Sequence, residues 1–136
     1  AVAASVNKRG RGTAFTLEER VEMLRQALAE EGLSDVEVLP FTGLLVDFCH
    51  GIGALGGVKG LRAMTDFEYE LQMAMMNRHL VPEAETVFLT PSAELQYVSG
   101  TLVREIALLG GDVTECVVPA VAEALARKAA HLRGAH

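Results

Sequence analysis

The chain has 136 residues, half of them hydrophobic, which suits one domain with its own core. The formal net charge of −6, from 18 acidic and 12 basic residues, and the lack of tryptophan disfavour a nucleic-acid-binding protein. No apolar run approaches a membrane span and no charged start precedes an apolar core, so we predict neither a membrane segment nor a signal peptide, and expect a cytoplasmic protein.

Strands and helices alternate along the chain. Small residues at the start predict a strand, and a basic, glycine-rich loop follows in which Lys8 is either a phosphate contact or a solvated cation. Thr16 and Glu19 form a capping box, which predicts a helix from Leu17 that ends at Gly32. Further strands are predicted at residues 36–39, 55–58 and 86–89. Further helices are predicted at residues 44–52, from 65, from about 99, and from 119 to about 128, with a disordered tail at 130–136.

This alternation predicts an α/β fold of one domain, with a doubly wound parallel sheet and helices on both faces. The two cysteines, Cys49 and Cys116, fall far apart in different predicted elements. Without a secretory signal, we expect both to be reduced and buried rather than joined in a disulfide.

The stretch from Val58 to Leu80 contains the most informative pattern. Lys59 and Arg62 flank Gly60 where a predicted strand hands over to a helix. In open α/β sheets ligands bind outside the carboxyl ends of the strands, so two cations there favour an anion site, with phosphate the usual occupant. The alternative is a solvated loop with two chance cations.

The helix that follows is predicted to start at a second capping box, formed by Thr65 and Glu68. Apolar residues then recur at helical spacing and predict one buried face. The residues of that face are Phe67, Leu71, Ala74 and Met75.

A third polar corner lies at Ser99, Gly100 and Thr101, where a helix begins. Two hydroxyls and several free N–H groups at a positive helix end suit a phosphate, and Gly100 lets the backbone approach closely. The alternative is an ordinary helix N-cap. Since such corners meet at one edge of a doubly wound sheet, we expect Ser99 near Lys59 and Arg62.

Several separated motifs resemble one family. The segment Lys59–Glu70, of pattern K-G-L-R-x-x-x-D-F-x-Y-E, strongly resembles a hallmark of the bacterial phosphopantetheine adenylyltransferases. Residues 77–79, the segment Phe15–Arg20 and the segment Gly111–Val113 resemble the same family. The segment Ser99–Arg104 is similar to the I-S-S-T-x-x-R signature of the wider nucleotidyltransferase superfamily.

The resemblance implies a Rossmann-like domain that assembles into a hexamer. It implies transfer of AMP from ATP to 4′-phosphopantetheine with Mg²⁺ assistance, which gives dephospho-CoA and pyrophosphate in coenzyme A synthesis. By position, Lys8, Leu45 and Lys59 would contact phosphopantetheine, and Lys8 and Arg62 would act in catalysis. The ATP contacts would be Gly60, Leu61, Arg62, Glu70, Leu95, Gln96, Tyr97, Val98, Ser99, Gly100 and Thr101.

Two departures from the family pattern affect these expectations. Gly100 replaces the usual middle serine, which keeps the main-chain N–H but removes one hydroxyl. The family's first strand, turn and helix, with a T/H-x-G-H motif, have no counterpart in this sequence, so we expect an N-terminally incomplete domain of poor stability and weak activity. Two alternatives remain: a non-catalytic nucleotide- or CoA-binding remnant, and an adenylyltransferase for another phosphorylated acceptor such as nicotinamide mononucleotide.

Overall fold

The computed structural model describes residues 2–5, 13–62 and 64–134. In these ranges the strands are β1 (Val2–Ser5), β2 (Val38–Phe41), β3 (Gly56–Gly60) and β4 (Glu85–Leu89). The helices are α1 (Leu17–Glu30), α2 (Leu45–Gly51), α3 (Met64–Leu80), α4 (Gly100–Leu108) and α5 (Pro119–Gly134), with a short 3-10 turn at Ala93–Leu95. Of the helices described, none is both long and apolar enough to cross a membrane.

The strands form two parallel pairs. β1 pairs with β2, with Val2 opposite Val38, and β3 pairs with β4, with Gly56 opposite Glu85. Helix α1 lies between the strands of the first pair in sequence and α3 between those of the second, which is the connection that parallel strands require. The predicted α/β class with parallel strands is confirmed.

The chain divides into two compact units. The first unit comprises residues 1–41 and 98–136, and the second unit comprises residues 42–97. Each unit contains one of the parallel pairs, so each is described by itself below.

The first unit contains two clusters of buried side chains. One packs α1 against the β1–β2 pair, and its members are Ala4, Val21 and Val38, flanked by Leu17, Leu24 and Leu28. The other lies around Leu125 of α5, which is only 2% exposed, and includes Val103 and Ala107 of α4 together with Val113. The buried face of α1 is therefore formed by its valine and leucine residues.

The predicted ends of α1 are also confirmed. Thr16 Oγ1 accepts a hydrogen bond from Glu19 N at 3.2 Å, and Glu19 Oε2 accepts one from Thr16 N at 2.7 Å. Gly32 follows the helix with φ of 70°, a conformation that glycine adopts without steric cost. These signals are local in sequence, which is why the pattern locates them.

In the second unit, α3 departs from two predictions. It begins at Met64, so Thr65 lies in its first turn rather than at the cap. The predicted buried face is only partly covered: Phe67 packs edge-on against Phe88 with ring centroids 6.2 Å apart, but Phe67 is 40% exposed and Met75 is 66% exposed. The reason is that the β3–β4 pair is too narrow to cover a whole helix face.

Other boundaries differ by a few residues. β2 begins two residues after the predicted start, and β3 extends two residues beyond Val58, so that Lys59 and Gly60 belong to the strand itself. Helix α5 continues to Gly134 and includes residues 130–134, which were expected in the tail. The first and last residues of an element are the hardest to predict from a sequence pattern, because the ends of helices fray.

Candidate active site

An ion pair joins two of the predicted site residues. Lys59 Nζ of β3 lies 2.5 Å from Glu70 Oε2 of α3, and the two side chains are 28% and 27% exposed. An ammonium group has three hydrogen-bond donors, so Lys59 keeps two for an incoming anion. Lys59 is expected to contact phosphopantetheine and Glu70 to contact ATP, and the two side chains lie in direct contact within the second unit.

Lys59 also lines a cavity of about 260 Å³ in the second unit. Leu45, at the start of α2, lines the same cavity, so two of the residues predicted to contact phosphopantetheine are brought together. Much of the wall is apolar or main chain, with a few polar side chains. The remaining lining residues are Val46, Cys49, His50, Ala54, Gly56, Gly57, Asn77, Val81, Glu83, Ala84, Glu85 and Thr86.

Asn77 is a functional candidate that the sequence reasoning did not assign. It is a buried polar residue, 9% exposed, near the C-terminal end of α3. The Asn77 side chain forms no hydrogen bond to any residue that the structure describes. Among the described residues, however, no side-chain polar atom is both fully buried and without a hydrogen-bond partner. The Asn77 amide therefore reaches the open space of the cavity. The available signal was its spacing, because Asn77 lies seven residues after Glu70 on the same helix face.

The end of β3 places the other predicted residues of this corner. Leu61 is buried, and its N–H donates to the Leu89 carbonyl at 2.8 Å, which continues the pairing of β3 with β4. Gly60 and Arg62, on either side of Leu61, are both exposed. Because Leu61 is fixed by the sheet, Arg62 is held at the point where the strand passes into α3.

The predicted ATP run crosses from one unit to the other. Leu95, Gln96 and Tyr97 belong to the second unit, where Leu95 is 50% and Tyr97 70% exposed. Val98, Ser99, Gly100 and Thr101 belong to the first unit and lead into α4.

Ser99 is the N-cap of α4. Its Oγ accepts a hydrogen bond from Leu102 N at 3.1 Å, which is the ordinary capping role that the sequence left open as an alternative. The hydroxyl hydrogen stays available to a ligand because capping uses only the oxygen lone pair. At Gly100 an added Cβ would meet no atom within 4 Å, so packing does not explain the missing hydroxyl.

Two further expectations concern Lys8 and metal ions. Lys8 lies outside the described residues. Among those that are described, no group of three or more His, Cys, Asp or Glu side chains is arranged to hold a metal ion.

Comparison with known proteins places these features in a family. Residues 1–106 match the model of the cytidylyltransferase-like family. The chain is 52% identical over 133 residues to the phosphopantetheine adenylyltransferase of Ralstonia pickettii, which covers 98% of the chain and 77% of that protein. It is 53% identical over 127 residues to the phosphopantetheine adenylyltransferase of Aromatoleum aromaticum, covering 93% and 77%. It is also 53% identical over 129 residues to the one from Bordetella avium, covering 95% and 74%.

Proposed function

The chain belongs to the cytidylyltransferase-like family and, within it, to the phosphopantetheine adenylyltransferases, and we propose on this premise how its residues transfer AMP from ATP to 4′-phosphopantetheine. The reaction gives dephospho-CoA and pyrophosphate and belongs to coenzyme A biosynthesis. The observation that carries the function is the identity of about half of all residues over nearly the whole chain. The fold expected of this family, a Rossmann-like α/β domain, agrees with the parallel strand pairs and their helices.

The cavity of the second unit is the proposed phosphopantetheine site. Its walls suit an arm that alternates methylene and amide groups, since small-molecule sites are mostly apolar with a few placed polar groups. Lys59 would bind the terminal phosphate through the donors that Glu70 leaves free, and Leu45 would contact the arm.

The residues proposed to contact ATP are assigned by the family resemblance, and some fall in each of the two units. Arg62 would bind a phosphate through its planar guanidinium, and the free N–H groups at Gly100 and Thr101 would bind another at the N-terminus of α4. The residues proposed to contact ATP are Gly60, Leu61, Arg62, Glu70, Leu95, Gln96, Tyr97, Val98, Ser99, Gly100 and Thr101.

In the proposed mechanism the phosphate of phosphopantetheine attacks the α-phosphate of ATP in line, without a covalent enzyme intermediate. Two anions must approach each other, so the enzyme's main task is to hold them in place and to stabilise the negative charge of the transition state. Lys59 and Arg62 supply that charge from β3 and its end, and Lys8 is assigned to the same task by resemblance alone.

Three finer proposals accompany this function. Mg²⁺ would arrive with ATP, because phosphate oxygens are preferred ligands of this ion, and it would neutralise phosphate charge. We place the enzyme in the cytoplasm. We also propose that copies of the chain associate, with the number six taken from the family resemblance. The exposed apolar side chains of α3 support association: Met75 is 66% exposed, Met76 55% and Leu80 50%.

The test is pyrophosphate release by the 136-residue chain with ATP and 4′-phosphopantetheine, with nicotinamide mononucleotide as the comparison acceptor. We expect release with phosphopantetheine and none with nicotinamide mononucleotide. Calorimetry with ATP, phosphopantetheine and CoA separates the alternatives: binding without turnover indicates a non-catalytic binding protein, and failure of phosphopantetheine to bind indicates another acceptor. Sedimentation velocity measures the number of copies.

A further inference from the structure

A thiol group lines the proposed phosphopantetheine cavity. Cys49 lies one turn after Leu45 on the same face of α2, and both residues line the cavity. Cys49 is half-buried and not in a disulfide. The other cysteine, Cys116, is also half-buried and free, but it packs against the core around Leu125 in the first unit. The chain thus contains a cysteine at the proposed site and a matched one in a different environment.

A second feature of the cavity indicates a ligand that carries a polar group. Asn77 is about nine-tenths buried and lines the cavity, and its side chain has no hydrogen-bond partner among the described residues. Because no described side-chain polar atom is both fully buried and unpaired, the Asn77 amide stays accessible and can form hydrogen bonds with a ligand. Together with the ammonium group of Lys59, Asn77 and Cys49 offer partners for an anion, an amide and a sulfur atom.

We propose that Cys49 forms a reversible mixed disulfide with phosphopantetheine when that ligand is supplied as its symmetrical disulfide. This inference rests on the proposed function, because the function places an arm that ends in a thiol inside this cavity. Lys59 would bind the phosphate at one end of the arm, and the ligand sulfur at the other end would meet Cys49.

The reaction is a thiol–disulfide exchange. The Cys49 thiolate attacks one sulfur of the ligand disulfide, a Cys49–S–S–pantetheine bond forms, and the ligand S–S bond breaks. The other half of the ligand leaves as a thiolate and takes up the proton that Cys49 gave up. Cys49 is oxidised and the departing half is reduced, so no further oxidant is needed.

The modification would block the cavity with a covalently held arm. Repeated turnover would then stop, because a tethered arm cannot leave the acceptor site even if its own phosphate reacts once with ATP. A free thiol in excess would reverse the exchange. The enzyme would therefore be inactive while the thiol pool is oxidised and active again when the pool is reduced.

The test uses the full chain, reduced and then freed of reductant. It is incubated with phosphopantetheine disulfide, with the same disulfide lacking phosphate, or with 2-hydroxyethyl disulfide. Intact mass measures the extent of modification over time, and peptide mapping identifies the cysteine. Cys49→Ser and Cys116→Ser are the matched variants, and Lys59→Met tests the phosphate contact. Calorimetry with reduced phosphopantetheine is run in parallel.

We expect one adduct, at Cys49, with the mass of phosphopantetheine less two hydrogens, removable by dithiothreitol. It should form in the Cys116→Ser variant and not in the Cys49→Ser variant. The phosphorylated disulfide should react roughly tenfold faster than the one without phosphate, and Lys59→Met should abolish that preference.

Three results would overturn the inference. If reduced phosphopantetheine binds but Cys49 stays unmodified, the inference is wrong and the proposed function stands. If all three disulfides modify both cysteines at similar rates, Cys49 is merely an accessible thiol. If reduced phosphopantetheine does not bind and no adduct forms, the acceptor assignment and the inference are both wrong.

Discussion

Replacing Lys59 with methionine tests the central contact of the proposed site. Methionine keeps an unbranched side chain but removes the ammonium group that lies 2.5 Å from Glu70 Oε2. A hydrogen bond to a charged group contributes about 1.5–3 kcal/mol. Lys59 is 28% exposed, and its charge is partly neutralised by Glu70, so we expect a loss in the lower part of that range, about 1.5–2 kcal/mol. This loss corresponds to phosphopantetheine binding that is roughly 10- to 30-fold weaker.

Replacing its partner should have a smaller effect on the ligand. Glu70→Gln keeps an oxygen that can accept a hydrogen bond from Lys59, so the ammonium group stays near its position. The substitution also removes a negative charge that opposes an incoming phosphate. A neutral amide holds the ammonium group less firmly than a carboxylate does, which lowers phosphopantetheine affinity, whereas the loss of the negative charge raises it, so we expect affinity to change less than about threefold.

The assay is calorimetric titration of 4′-phosphopantetheine at two salt concentrations, with circular dichroism to check that each variant is folded. Lys128→Met is the matched control, because Lys128 Nζ lies 3.6 Å from Glu19 Oε1 in the first unit, outside the proposed site. Wild-type affinity should fall with salt more steeply than that of the Lys59→Met variant. If Lys59→Met binds phosphopantetheine within twofold of wild type, or no more weakly than Lys128→Met does, Lys59 is not the phosphate contact.

Other predictions concern stability. Leu125→Ala truncates the largest fully buried side chain described and should lower the free energy of unfolding by about 2–5 kcal/mol in urea titrations, whereas a loss below 1 kcal/mol would mean that the site collapses around the smaller side chain. Gly56→Ala brings a Cβ within 2.7 Å of a backbone oxygen of β4 and should destabilise the chain by roughly 1–3 kcal/mol, while Gly57→Ala, which meets no atom within 4 Å, should not; equal losses would contradict this geometry. The N–H of Thr114, 2.9 Å from Asp112 Oδ1, lowers the pKa of Asp112, so this carboxylate stabilises the fold above its unfolded pKa and loses that effect as pH falls through the folded pKa. The melting temperature of Asp112→Asn should therefore lie slightly below wild type at neutral pH and converge with it in acid; a constant difference would show that ionisation is not involved.

The sequence predicted best the features that depend on neighbouring residues. The capping box of Thr16 and Glu19 and the glycine stop at Gly32 involve groups within a turn of each other, so their pattern is sufficient. The burial of Phe67 was predicted from helical spacing alone, but burial depends on what lies opposite, and the β3–β4 pair leaves Phe67 40% exposed.

In the candidate site too, the features set by neighbouring residues were predicted, and those set by tertiary structure were not. Lys59 and Arg62 were found because they follow a strand and flank a glycine, a local signal that a family resemblance then reinforced. The contact of Lys59 with Glu70 joins residues eleven positions apart, and the cavity wall gathers α2, β3 and the end of α3. The spacing of Asn77 from Glu70 places both on one helix face, but only tertiary structure shows that Asn77 and Cys49 line the space that Leu45 and Lys59 share.

The glycine content of β3 links the stability of the second unit to its proposed function. Three of the five residues of the strand are glycine, each of which weakens a strand by roughly 0.5–1 kcal/mol relative to alanine. Gly56 is required because any side chain would meet the Glu85 carbonyl. No such contact explains Gly57, which lines the cavity and has open space where its Cβ would be. A larger residue there would stabilise the strand but fill the space proposed for the substrate arm. Gly57 is therefore better explained by the proposed ligand, whereas Gly56 is explained by the sheet.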